Sequence, residues 1–272
     1  MTDDGARAPG TPAPAGPVDV AGLRVDGLAV PAVVRRLAGG AAVEPVWRNE
    51  VGGTTFRVAA TGGAPARYVK HAPPGAPLDL LAEARRLAWA VRWTPVPRVL
   101  DAGRTAAGEA WLVTRALDGE SAVVPRWRAR PAAAVAALGR GLRALHEALP
   151  VASCPFDWSV ARRRAAAVGD VGSLPPEPPV DRLVVCHGDA CSPNTLLRDD
   201  GRGGALVAGH VDLGALGVAD RWADLAVATL ATTWNYGPGW EDLLLTSYGV
   251  DPADPARAAR TAFYRALWDV GP

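Results

Sequence analysis

His187-Gly188-Asp189-Ala190-Cys191-Ser192-Pro193-Asn194 follows directly on an apolar run, Leu183–Cys186, whose length suits a short strand. The reading of these eight residues decides the fold. They place a carboxylate and, a few residues on, an amide on a polar turn, and a second carboxylate comes later in Asp212-Leu213-Gly214, at the end of another strand candidate spanning residues 205–212. Two carboxylates and an amide oxygen make the donor set that suits magnesium, a hard cation that takes oxygen ligands and keeps several waters. Taken singly, Asp189 reads as an Asx turn and Asp212 as a turn or helix cap. Their joint order, each beside a strand, favours chemistry over capping.

Working outward to the N-terminal side, one composition fact stands out. Of the 29 basic residues only Lys70 is a lysine; the rest are arginine. The bias fits coding composition, yet a compact ammonium does what a planar guanidinium cannot, which is one reason to retain a lysine. Val-rich runs at 42–47, 55–59 and 67–70, separated by glycine pairs at 52–53 and 62–63, read as antiparallel strands, and Lys70 ends the third. The glycine pair in Asn49-Glu50-Val51-Gly52-Gly53-Thr54-Thr55-Phe56 lies between two of them, where backbone N–H groups can approach phosphate oxygens, although most such pairs are plain hairpin turns. Residues 78–91 have helical periodicity, with Asp79 near the start. Glu83 on that helix either pairs with Lys70 or lies on a solvated face. After Pro95 and Pro97 come strand candidates at 98–102 and 110–114.

Beyond Leu117-Asp118-Gly119 the pattern turns helical. Residues 132–149 carry Val135, Leu138, Leu142, Leu145 and Leu149 at three- and four-residue steps and stop at Pro150. A helix at 159–168, a proline-rich connection at 172–179, strands at Leu183–Cys186, 195–198 and 205–212, and helices at 221–233, Glu241–Tyr248 and 256–268 complete the pass. Residues 1–24 are too poor in apolar patterning to offset their ordering entropy and read as a disordered tail. The expected division is therefore a lobe at 25–117 and a second at 118–272.

Composition bounds the function classes. The 272 residues are 49% hydrophobic and 21% charged with a net charge of +1, so a real core is available and no bulk basic field recruits nucleic acid or acidic lipid. Cys154, Cys186 and Cys191 fit neither a disulfide framework nor a zinc pattern, which points to a reducing cytoplasm. No apolar run approaches the roughly 18 residues of a membrane span, and Asp3 and Asp4 do not suit a signal peptide. A cytoplasmic monomer is expected, with no membrane partner.

The spacing His-x-Asp-x-x-x-x-Asn is that of the kinase catalytic loop, and Asp212-Leu213-Gly214 stands where kinases place Asp-Phe-Gly. Pro45-Val46-Trp47-Arg48-Asn49-Glu50, Leu145-His146, Cys154-Pro155-Phe156-Asp157, Gly217-Val218-Ala219-Asp220-Arg221, Asp224-Leu225-Ala226 and Phe263-Tyr264-Arg265 narrow the match. Over about residues 42–270 the chain resembles the aminoglycoside phosphotransferases, nearest to the 3'-phosphotransferase group. That resemblance implies an α+β, bilobal protein-kinase-like fold, with a β-rich N-terminal lobe and a mainly helical C-terminal lobe. It implies transfer of the γ-phosphate of ATP or GTP to a hydroxyl of an aminoglycoside, giving antibiotic resistance, with Mg2+ as cofactor. By the same resemblance Asp189 is the catalytic aspartate, Asn194 and Asp212 are magnesium ligands, and Lys70, oriented by Glu83, meets the nucleotide phosphates together with Gly52, Gly53 and Thr54. The hinge Thr114-Arg115-Ala116 would meet adenine through its backbone. Asp220 and Asp224 brace the catalytic loop instead of touching substrate, and His187 is structural as well.

Carboxylates that could attract a cationic acceptor are Asp157, Glu241, Asp242 and Asp269, of which the first three also suit helix caps and N-termini. Two departures bear on the acceptor side: Ala215 stands where the group often has arginine, and the C-terminus carries one carboxylate, Asp269, instead of an Asp-Glu pair. A protein kinase is disfavoured, because between Gly214 and Arg221 there is no room for an activation segment. A kinase of another small molecule and a non-catalytic pseudokinase are the remaining alternatives.

Overall fold

Side-chain alternation along the strands sets the architecture of the first half. The computed structural model describes residues 27–49 and 51–271; the expected tail at 1–24 and Glu50 lie outside the described residues. Helix α1 (Ala32–Ala38) leads into strands β1 (Val43–Arg48), β2 (Thr54–Val58) and β3 (Arg67–Ala72), then helix α2 (Leu80–Ala90) and strands β4 (Val99–Arg104) and β5 (Ala110–Arg115). The strands form one antiparallel sheet in the order β1-β2-β3-β5-β4. Because successive side chains point to opposite faces, Val69 and Val113 pack with Phe56 and Val58 under α1. Lys70 and its cross-strand partner Leu112 consequently turn to the other face, the one that α2 covers. Asp79 caps α2 by accepting the Ala82 N–H at 3.0 Å.

The second half continues with β6 (Glu120–Ser121), α3 (Pro125–Arg128), α4 (Pro131–Ala148), α5 (Val160–Ala166), β7 (Leu183–Cys186), β8 (Thr195–Asp199), β9 (Ala205–His210), β10 (Gly217–Asp220), α6 (Trp222–Tyr236), α7 (Glu241–Tyr248) and α8 (Arg257–Asp269). The strands form a β10-β7 ribbon and a small β6-β8-β9 sheet among these helices. Helix α4 buries Val135, Leu138, Leu142 and Leu145, as its spacing predicts, and α6 is buried on almost every side. One core runs without a break from Leu87 and Leu112 through Leu145 to Leu225 and Phe263, so the face of the sheet that carries Lys70 is packed continuously with the helical half.

Several elements differ from the sequence expectations. Helix α1 is unforeseen: it has only seven residues, two of them β-branched, and is delimited by Pro31 before it and the left-handed Gly39 after it. The short β6, α3 and β10 were likewise not read. Strand β10 has four residues and exists because it pairs with β7, a long-range partner that no local pattern reveals. The strand expected at 205–212 ends at His210, which frees Val211 and Asp212 for a turn.

Candidate active site

Two carboxylates from separate stretches of the chain meet at Lys70. Its Nζ lies 2.7 Å from Glu83 Oε1 on α2 and 2.8 Å from Asp212 Oδ1 beyond β9. Burial alone would lower the lysine pKa, but the two carboxylates override it, so the ammonium is held above its ordinary range and stays charged. The same charge holds Asp212 below the usual carboxylate range against the opposing effect of burial. Glu83, 4% exposed, is pushed up by burial, which Lys70 only partly offsets. The Asp212 side chain is 47% exposed and opens to solvent. Its φ of 64° is left-handed, the only such non-glycine among the described residues. That conformation costs about 1–3 kcal/mol and persists only where the surroundings impose it.

The loop after β7 is folded tightly against this cluster. Asn194 Nδ2 donates to both the backbone O and the Oδ2 of Asp189, each at 3.0 Å, whereas Asp189 Oδ1 is buried without a partner. His187 Nε2 donates to Val211 O at 3.0 Å, and Val211 N–H donates to Asn194 O at 2.9 Å. The residue before Asp212 is thus stitched to both ends of the loop, which brings Asp189, Asn194 and Asp212 to one place. Gly188 has φ 86°, and a Cβ there would collide with the Ala215 carbonyl, so the loop approaches residues 212–216 as closely as glycine permits.

Beneath the loop lies a closed polar frame. Asp224 on α6 is fully buried; its Oδ2 accepts the His187 N–H at 2.6 Å and its Oδ1 the Gly188 N–H at 2.9 Å. His146 of α4 joins Asp224 Oδ2 at 2.9 Å and, through its other nitrogen, Tyr248 OH at 2.8 Å. These hydrogen bonds hold the Asp224 carboxyl below its usual range although burial pushes it up. Asp220 acts one layer away: it accepts the N–H groups of Asp181 and Trp222 and does not touch the loop. The expected bracing role falls to Asp224, and the sequence reading missed its partner His146, whose signal was a polar residue beside Leu145 on a core-facing helix.

Other expected positions separate into those near the cluster and those otherwise engaged. The Gly52 and Gly53 N–H groups donate to the O (3.3 Å) and Oδ1 (2.7 Å) of Asn49, so the turn between β1 and β2 is internally bonded, with Thr54 opening β2. Thr114 pairs within the sheet, and the N–H groups of Arg115 and Ala116 are taken by Arg98 O (2.9 Å) and Ala66 O (3.0 Å). Those two donors are therefore taken within the sheet. Asp157 forms an Asx turn with the Ser159 N–H at 2.8 Å ahead of α5. Glu241 and Asp242 are ion-paired, Asp242 to Arg257 at 2.6 Å and Glu241 to Arg265 at 3.3 Å. Asp269, exposed, is the last residue of α8.

The donor chemistry fits a hard divalent cation. Asp212 would offer a carboxylate oxygen and Asn194 an amide oxygen, with the Asp189 carboxylate beside them, while Lys70 compensates only one of the two carboxylates it touches. The remaining negative charge would repel a polyphosphate unless a cation entered with it.

Comparison with known proteins bears on this arrangement. A family model described as the phosphotransferase enzyme family matches residues 46–170 and 163–261. An aminoglycoside 3'-phosphotransferase of Streptomyces fradiae is 37% identical over 254 residues, covering 80% of this chain and 92% of that protein. A streptomycin 3''-kinase of Streptomyces griseus is 38% identical over 224 residues, covering 70% of this chain and 78% of the kinase. Among solved structures, a type VIII aminoglycoside-3'-phosphotransferase superposes with a TM-score of 0.65 at 31% identity, covering 87% of this chain and 97% of its own. An aminoglycoside phosphotransferase from Streptomyces rimosus, solved with ADP and streptomycin, gives 0.63 at 30% identity, with 87% and 95% covered. The sheet of the first half and the helices of the second are the α+β, two-lobed kinase-like fold of these enzymes.

Proposed function

The chain belongs to the phosphotransferase enzyme family, and from that premise we propose that it moves the γ-phosphate of ATP or GTP to a hydroxyl of an aminoglycoside, inactivating the antibiotic. The observation that carries this reading is the unpartnered Asp189 Oδ1 beside Asn194, in a loop bonded to Val211, the residue before the Lys70-paired Asp212. In this reading Asp189 takes the proton of the acceptor hydroxyl as the oxygen bonds the γ-phosphorus. The bond from that phosphorus to the bridging oxygen breaks, and the nucleoside diphosphate leaves with the electron pair. Lys70, fixed by Glu83, pairs with nucleotide phosphate oxygens. Asn194 and Asp212 would hold Mg2+, which when bound neutralises phosphate charge that the protein cannot. The backbone brace from Asp224 keeps Asp189 at a fixed height, and such positioning is most of the catalysis in phosphoryl transfer.

The acceptor class rests on the named activities of the relatives and on the absence of a platform for peptides between Gly214 and Arg221. The experiment is turnover of purified protein with Mg-ATP or Mg-GTP against kanamycin-like and streptomycin-like acceptors and amino-alcohol metabolites. Stoichiometric phosphorylation of an aminoglycoside is expected. Turnover confined to the metabolites would replace the acceptor, and absence of any magnesium-dependent turnover would leave a binding module.

A further inference from the structure

The segment that follows Asp212 has a short polar supply of its own. Leu213 and Leu216 are fully buried and Ala215 offers only a methyl group, so no side chain of residues 213–216 can anchor their backbone. Within the turn, the Leu216 N–H donates to Leu213 O at 3.1 Å. The anchor comes from the other lobe. Arg86, on α2 and one turn after Glu83, donates its Nε to Leu216 O at 3.0 Å. The guanidinium lies over the Phe156 ring at 5.2 Å, and the same ring meets Trp89 of α2 edge-on at 6.0 Å. Cation–π contact on one side and a carbonyl on the other leave the guanidinium little freedom.

We propose that Arg86 is a positioning residue for phosphoryl transfer, setting the height of Asp212 and of the Asp189 loop by holding Leu216 O. The inference rests on the phosphotransferase reading above. Helix α2 then grips residues 212–216 at both ends, Asp212 through Glu83 and Lys70, and Leu216 through Arg86. The grip passes on to the catalytic loop because Gly188 is pressed against Ala215. A lysine could reach the carbonyl but would lose the guanidinium's contact with the Phe156 ring.

The test uses the full chain with Arg86→Met, which keeps the stem and removes the donor, and Arg86→Lys. Hydrogen exchange of the ligand-free protein reads the anchor: residues 212–217 should exchange at least fivefold faster in Arg86→Met, with α4 unchanged. ADP binding with and without Mg2+ reads the consequence, and the gain in affinity on adding Mg2+ should fall about tenfold. Turnover should fall tenfold to a hundredfold while the acceptor KM stays within twofold, and Arg86→Lys should recover part of each loss. If Arg86→Met does not fold, Phe156→Leu, which loosens the guanidinium without removing it, should show the same pattern more weakly. Unchanged exchange at 212–217 overturns the anchor whatever the nucleotide does. Loss of activity that tracks lost folded protein, with the magnesium gain intact, overturns the positioning role. A parent protein that gains nothing from Mg2+ overturns the phosphotransfer reading instead, and the exchange data separate that failure from the first.

Discussion

Two polar clusters lie on either side of the loop at 187–194 and are built on opposite plans. In the lower one, Asp224 is fully buried and both its oxygens have donors, His187 N–H, Gly188 N–H and His146, which in turn is tied to Tyr248. In the upper one, Lys70 and Asp212 are 24% and 47% exposed, Asp212 is held at a left-handed φ, and one oxygen of Asp189 has no partner. A buried polar group normally finds its hydrogen bonds, and leaving one unmade costs about 1–3 kcal/mol. The saturated cluster therefore serves stability, and the unsaturated one keeps an acceptor oxygen free for an incoming group. The same residue type, aspartate, does both tasks, and hydrogen-bond satisfaction separates them.

Exchanging the two aspartates' fates is the strongest way to break this contrast. Asp189→Ala should lose more than about a thousandfold in turnover, with ADP affinity within threefold and the melting temperature nearly unmoved, because it deletes an acceptor that nothing in the fold uses except Asn194. Asp224→Ala strands two buried N–H groups and His146, which should cost about 3–5 kcal/mol, or roughly 10 °C in Tm. Thermal melts alongside turnover decide it. An Asp189→Ala protein that melts as early as Asp224→Ala would mean that both clusters are structural.

Lys70→Arg sharpens the upper half. Charge is kept, but a planar fork cannot take the place of one nitrogen at 2.7 and 2.8 Å from two carboxylates and still leave a donor for phosphate. Turnover should fall about a hundredfold or more, with the fold intact by circular dichroism. A neutral result would make the sole lysine an accident of composition.

Which parts of this contrast were legible in the sequence follows from the range of the interactions. The loop at 187–194, Lys70, Glu83 and Asp212 could be picked out as one candidate cluster because each sits at a local signal: a strand end, a lone residue type, a helix turn. The helices α2, α4, α6, α7 and α8 were likewise near their expected bounds, since 3.6-residue periodicity is local. What escaped was long-range. Strand β10 depends on β7, and the occupied N–H groups at Arg115 and Ala116 depend on Arg98 and Ala66, far back in the sequence. The ion pairs that occupy Glu241 and Asp242 come from arginines on α8.

A histidine packed beside His187, outside both clusters, should also answer to acid. His210, buried and T-stacked with His187 at 5.9 Å, accepts or donates at Thr195 Oγ1 and is pushed down to about 3, chiefly by burial. Its folded pKa lies below the unfolded value of about 6.5, so the unfolded chain takes up the proton first. The stability contributed is complete above pH 6.5 and is lost as pH falls from there toward 3, at up to about 1.4 kcal/mol per pH unit. His210→Gln removes this titration, and Tm measured from pH 7 to 4 should decline less steeply than in the parent. Equal slopes would assign the acid limb to other groups.

The smallest effects concern how a polycationic acceptor is attracted. Glu241 and Asp242 already face Arg257 and Arg265, so their charge is spent locally, and surface pairs of this kind contribute only about 0–1 kcal/mol. Asp157 is likewise engaged, in its Asx turn with Ser159. Asp269 differs: it is exposed at the C-terminal end of α8, where the helix dipole disfavours a carboxylate, so the fold gains nothing from its charge. Asp269→Ala should therefore raise the acceptor KM about tenfold, a change of roughly 1.4 kcal/mol, with the ATP KM unchanged. Added salt should raise the parent's acceptor KM as screening weakens the attraction, and the variant's less. Glu241→Gln and Asp242→Asn should move that KM by less than twofold. The reverse ranking would place the acceptor against the start of α7, and would mean that an ion pair with arginine does not exhaust a carboxylate's pull on a cationic sugar.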